Sequence, residues 1–216
     1  MSLFDGFKKN RPKNDIPKAV PNTTQKQTQQ TQSQTNFEDS EGFYFEDMME
    51  FALYAKLFAR KSNKNVQWLA GSAYVDEFKR GYNLYDQGRF DDAVAAFKHC
   101  LELNPVGINA RFELAESYVR LGNLAAAQRS LLDATPFLVD EKNIARFYRR
   151  LGYIAIERKD FRTAVACYQY SLKFENHPSV PQELAYIKSM GGKVSTAEDP
   201  ARILKNAGLP LLEKQN

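Results

Sequence analysis

Gly88 and Gly122 lie 34 residues apart, and so do Ala93 and Ala127. Two longer phrases, DQGRFDDAVAAFKHCLEL (86–103) and ERKDFRTAVACYQYSLKF (157–174), echo one another. Self-similarity at this period constrains the fold more than any composition can. It demands stacked supersecondary units, each with an apolar face that only its neighbours can bury. The residue types agree. Gly88 and Gly122 follow helical segments, where a left-handed turn is cheap only for glycine. Ala93, Ala127 and Ala164 are small where two helices cross closely, and a larger side chain there would cost about 1–3 kcal/mol. Phe97, Leu131 and Tyr168 then fill the space beside them.

In residues 74–107 these columns place Gly81, Ala93, Phe97 and Pro105. Across 108–141 they place Leu114, Ala115, Tyr118, Ala127 and Leu131, and across 145–178 Leu151, Gly152, Ala164 and Tyr168, with Pro178 two places late. Ala127 and Ala164 are 37 apart, so three residues have entered the connection near FLVDEKN. In this pattern the chain resembles the tetratricopeptide-repeat (TPR) family. It departs from the family at Glu77 and Arg80, where Trp and Leu are usual. The resemblance implies an all-α protein, a right-handed superhelical solenoid of three helix pairs (74–107, 108–141, 145–178) flanked by capping helices.

The flanks read differently. Residues 1–36 combine a Pro- and Lys-rich stretch with a Gln/Thr tract, too polar to offset the entropy of ordering, and are expected to be a disordered tail. Leu3, Phe4 and Phe7 ahead of two lysines form either a short docking motif or a frayed terminus. Within 37–73, six acids and no base over 37–50 give way to four bases and no acid over 51–73. That order suits the dipole of a helix starting near Gly42. Tyr44, Met48, Phe51, Ala55 and Phe58 make its apolar face. It is expected to cap the exposed face of the first repeat, the alternative being that the acidic, aromatic residues 36–51 compete for the binding groove. At the other end, 179–216 is expected to hold a capping helix over 181–190, with Pro181 in its first turn, and a short helix from Asp199 to Gly208.

No chemistry of the catalytic kind is legible. His99 and Cys100 are adjacent on a helix, so their side chains diverge by about 100° and cannot converge on one ion or substrate atom. Asp91 and Asp92 sit at a helix start, where acids favour the dipole. There is no nucleophile elbow, phosphate loop or zinc signature, so neither an enzyme, a metal nor a cofactor is expected. Two cysteines make no disulfide framework and fit a reducing cytoplasm. The start of the chain has no secretory pattern. The most apolar stretch (42–61) carries Glu46, Asp47, Glu50 and Lys56, whereas a membrane span needs about 20 mostly uncharged residues.

What remains is binding. The resemblance implies that the first helices of successive repeats line a concave groove. On that mapping the groove presents Phe78, Tyr82 and Tyr85, then Phe112, Val119 and Arg120, then Arg146, Arg149, Arg150, Tyr153 and Ile156. Residues 142–178 hold eight bases and three acids, while each earlier repeat is slightly acidic. A peptide or protein partner with apolar anchors and an acidic end fits that gradient. Some TPR proteins grip a terminal carboxylate with Lys and Asn on the first two repeats; Phe78, Tyr82 and Glu113 occupy those places here. The alternative is a nucleic-acid-binding helical repeat that uses Arg146, Arg149, Arg150, Arg158, Lys159 and Arg162 on phosphates. A net charge of only +4 gives that reading little support.

Overall fold

The computed structural model describes residue 45 and residues 48–58, 72–195 and 197–213. The tail 1–36, its Leu3/Phe4/Phe7 motif and most of 37–47 and 59–71 lie outside the described residues. Among the described residues there are helices and no strands: α1 (Met48–Phe58), α2 (Ser72–Asp86), α3 (Phe90–Leu103), α4 (Ile108–Arg120), α5 (Leu124–Leu132), α6 (Glu141–Glu157), α7 (Phe161–Ser171), α8 (Ser179–Ser189) and α9 (Pro200–Asn206). Helices α2 to α8 pack in chain order, each on the next, which makes an all-α solenoid.

One turn recurs after the first helix of every pair. The amides of Arg89, Asn123 and Asp160 each donate to a carbonyl five residues back, on Leu84, Tyr118 and Ala155, all at 2.9 Å. That geometry forces the intervening residue into left-handed backbone, with φ of 77° at Gly88, 73° at Gly122 and 60° at Lys159. Lys159 thus takes the place that glycine holds twice before it. The residue closing the turn also starts the second helix. Asn123 and Asp160 cap α5 and α7, their side chains each accepting from a backbone amide at 3.1 Å; Arg89 makes no such cap for α3.

The helix crossings explain the small residues. A Cβ on Gly81 would stand 2.8 Å from the Phe97 ring, and one on Gly152 would stand 2.9 Å from the Tyr168 ring. In the second pair the matching residues are Ala115 and Leu131, where a smaller partner leaves room for a methyl. Glu77 and Arg80, the departures on α2, pair with each other near the surface, and α2 buries Tyr74, Phe78, Leu84 and Tyr85 instead.

The connection after α5 holds a 3₁₀ turn, Thr135–Phe137, and this turn receives α1. Phe58 stacks on Phe137 at 6.1 Å, and Tyr54 is buried with Phe45, Val106 and Phe137. The Asn104 amide donates to Glu50 at 2.6 Å while its oxygen accepts from the Val106 amide. The described part of the N-terminal segment therefore docks on the turns between repeats. This corrects the expected cap over the first repeat: Phe51, Tyr54, Leu57 and Phe58 of α1 cluster with these turns rather than with α2, and Met48, expected on the same face, is exposed. Helix α8 buries Val180 and Ile187 against α6 and α7, where a fourth repeat would begin. Asp199 caps α9, which packs on α7.

Candidate functional site

The first helices α2, α4 and α6 are joined by a polar network. Tyr85 Oη donates to Glu116 at 3.1 Å. Arg150 donates to Glu116 at 3.2 Å and to Glu113 at 2.9 Å. Arg146 donates to the same Glu113 oxygen at 3.3 Å and to Asn109 at 2.9 Å. Both guanidinium groups lie over the Phe112 ring, at 4.7 and 5.4 Å from its centre. Arginine suits this task because its planar fork can hold two acceptors and still present a face to an aromatic ring.

The Glu113 side chain is only 3% exposed, and the two arginines are 16% and 20% exposed. Two cations thus meet two carboxylates with little water present. A buried cluster of this kind adds little net stability over apolar packing, but losing one member strands the others. Its effect is to fix how three consecutive repeats are registered.

The structure divides the expected groove residues. Phe78 and Phe112 are 0% exposed, and Tyr85, Val119 and Ile156 are also buried. These five are core rather than groove-lining: Phe78 packs against Phe97, Tyr85 against Phe90, and Ile156 beneath α8. Arg149 turns away from the network and donates to Glu175 at 2.8 Å, in the connection after α7. Arg120 is half-buried with its guanidinium over Phe90. Tyr82 and Tyr153 are half-buried, and they share one column with Glu116. Tyr153 Oη donates to Glu157 at 2.8 Å, and burial, aided by that carboxylate, pushes its phenol well above the ordinary range.

Asn109, Glu113 and Glu116 were not expected as members of this site. The signal lay in the period: Glu113 and Arg150 are 37 residues apart, the same spacing as Ala127 and Ala164, so opposite charges one repeat apart face each other on neighbouring first helices. The same accounting removes most of the basic character of the third repeat. Arg162 pairs with Glu198 at 3.0 Å, and Arg158 donates to Gln128 and to the Leu124 carbonyl. His99 is exposed on α3 beside Glu77, and Cys100 is buried. Burial pushes the Cys167 thiol far up.

The fold and this shared face define a helical-repeat protein, and among the described residues no group of three or more His, Cys, Asp or Glu is placed to hold a metal ion. Residues 84–151 match the family model described as tetratricopeptide repeat. The chain is 26% identical over 123 residues to the Hsp70-Hsp90 organising protein of Plasmodium falciparum (isolate 3D7), a stretch that covers 55% of this chain and 21% of that protein. The chain therefore spans about a fifth of that relative's length. Among solved structures, the first TPR of Spaghetti (RPAP3) bound to the HSP90 peptide SRMEEVD is 20% identical, with a TM-score of 0.48 over 56% of this chain and 94% of that one. The Sgt2 TPR domain from Aspergillus fumigatus is 16% identical, with a TM-score of 0.48 over 68% and 90%. No helix among the described residues is long and apolar enough to cross a membrane.

Proposed function

We infer that the chain is a non-catalytic adaptor of the cytoplasm that holds a peptide or protein segment along the shared face of α2, α4 and α6. The observation that carries this reading is the column Tyr82, Glu116, Tyr153: two half-exposed rings, one on each outer helix, flank a neutralised polar centre. Aromatic rings with a buried base and an open edge are effective anchors for apolar side chains, because little rotamer entropy is lost on contact.

The finer reading is a partner with apolar anchors for Tyr82 and Tyr153 and an acidic end beside Arg146 and Arg150. Such an acidic end must compete with Glu113 and Glu116 for those guanidinium groups. A grip on a terminal carboxylate alone is therefore not proposed, since Phe78 is wholly buried and Glu113 already fills the anion position. The nucleic-acid alternative weakens for the same reason: of its six cations, Arg146, Arg149, Arg150, Arg158 and Arg162 all have partners within the chain.

Selection of a random peptide library on the full chain tests the reading. Selected peptides should carry aromatic or aliphatic anchors and bind Tyr82→Ala and Tyr153→Ala about tenfold more weakly, a loss of about 1.4 kcal/mol, at a temperature where both variants are fully folded. Peptides that bind both variants as well as wild type would place the site elsewhere.

A further inference from the structure

The back of the third repeat holds an extended piece of the chain's own terminus. After α9, Gly208 turns the backbone with φ of 70°, and residues 209–213 run on without helical structure. Tyr148 Oη donates to the Pro210 carbonyl at 2.9 Å and accepts from the Leu212 amide at 2.8 Å. Tyr170 Oη donates to the Leu212 carbonyl at 3.0 Å. Two hydroxyls thus read three backbone groups of one short segment. Leu209 is buried and Leu212 half-buried in the cluster that contains Tyr148, Tyr170 and Phe174, while Leu211 faces out.

An extended peptide is recognised by polar groups that hold its main chain and apolar hollows that take selected side chains, here Leu209 and Leu212. Tyr148 is two residues from both Arg146 and Arg150, about 200° around α6. The cleft therefore lies on the opposite face of the helix that forms one wall of the proposed groove. Residues 210–213, which follow the buried Leu209, are all half-buried or exposed. Such thinly packed segments open at a small fraction of the global unfolding free energy.

We propose that this cleft, made by Tyr148, Tyr170 and Phe174, is a second peptide-binding site. It takes an extended Leu-Pro-x-Leu segment, and Leu209–Leu212 fills it in cis. A partner segment of the same chemistry enters by displacing the tail. Specificity comes from the two leucines and from the hydroxyl pattern, which needs a carbonyl and an amide two residues apart.

The probe is a fluorophore-labelled peptide with the sequence of residues 207–213, titrated by anisotropy. It is added to the full chain and to the full chain carrying Leu209→Asp with Leu212→Asp, in which α9 still buries Ile203 and Leu204. A site closed in cis has its affinity scaled down by the open fraction, so the double variant should bind about tenfold more tightly than wild type. Adding Tyr148→Phe and Tyr170→Phe to it should abolish binding. Equal affinity for wild type and double variant, no binding to either, or binding that survives the tyrosine changes overturns the proposal. Should the double variant misfold, wild type decides: millimolar unlabelled peptide should accelerate amide exchange at Leu212, and a rate unmoved by peptide overturns the site.

Discussion

Where an aromatic fills the crossing between paired helices, the facing residue is glycine; where leucine fills it, the facing residue is alanine. This correlation can be tested by moving one pair into the state of another. Gly81→Ala places a methyl 2.8, 2.9 and 3.1 Å from three atoms of the Phe97 ring, against an ordinary carbon–carbon contact of about 3.5–4.0 Å. The ring cannot swing away, because Phe78 and Tyr82 pack on it at 5.5 and 6.3 Å between ring centres. Overpacking of this kind costs about 1–3 kcal/mol. Alanine returns about 1 kcal/mol through its better helix propensity. The net loss should be about 0–2 kcal/mol, centred near 1 kcal/mol, or a few degrees in melting temperature for a chain of this length.

Phe97→Leu alone should also destabilise, by about 1–2 kcal/mol for the lost ring. In that background, however, Gly81→Ala meets no ring, and the propensity gain of about 1 kcal/mol should appear as stabilisation. The double-mutant cycle therefore predicts a coupling of about 2 kcal/mol. Urea unfolding of the four full-length proteins, followed by far-ultraviolet circular dichroism, measures it. A coupling within about 0.5 kcal/mol of zero would refute the claim that ring size dictates glycine at this crossing.

Three further outcomes are expected. Lys159→Gly should stabilise by about 1 kcal/mol, because it relieves a left-handed lysine at the position Gly88 and Gly122 occupy; thermal melts measure it. Glu113→Ala should cost about 3 kcal/mol by stranding Arg146 and Arg150, whereas Arg162→Ala, in a pair whose members are 66% and 51% exposed, should cost less than about 1 kcal/mol. Burial pushes the Glu183 carboxyl above the usual range, with the Tyr168 hydroxyl pulling the other way. A raised folded value favours folding below the unfolded carboxylate range, and this contribution is lost as pH rises through the raised value. Glu183→Gln should therefore stabilise the protein at neutral pH and flatten its stability profile just above the usual carboxylate range, as read by melts across pH.

The repeat array was legible because one backbone requirement recurs: a left-handed turn after each first helix leaves glycine as its trace, twice in three. Lys159 shows the limit of that trace, since the turn persists where the glycine does not. The groove was less legible. Phe78 and Phe112 stand on the expected helices, but periodicity reports a helix face and not how deeply a neighbouring helix sinks onto it. Counting charge along residues 142–178 overstated the basic surface, because Arg146, Arg150 and Arg162 find carboxylates 33 to 37 residues away. The apolar stripe of α1 announced that the helix must be buried. It did not say where, because its receptor, Phe137, lies in the connection after α5, where the period breaks. The tail at 209–213 has no periodic pattern, and only the tyrosine hydroxyls in space identify its binding cleft.

The account rests on α2, α4 and α6 presenting a shared face to a protein partner. Site-specific photocrosslinking tests this most directly. A benzophenone side chain is placed at Tyr82 or Tyr153, and at Leu172, which is exposed just after the second helix of the third pair, and each full-length protein is irradiated in its native cell. The same protein-sized adducts are expected from positions 82 and 153 and not from 172. Adducts that appear equally at 172, that run as nucleic acid, or that fail to form at 82 and 153 in a folded protein would contradict the account.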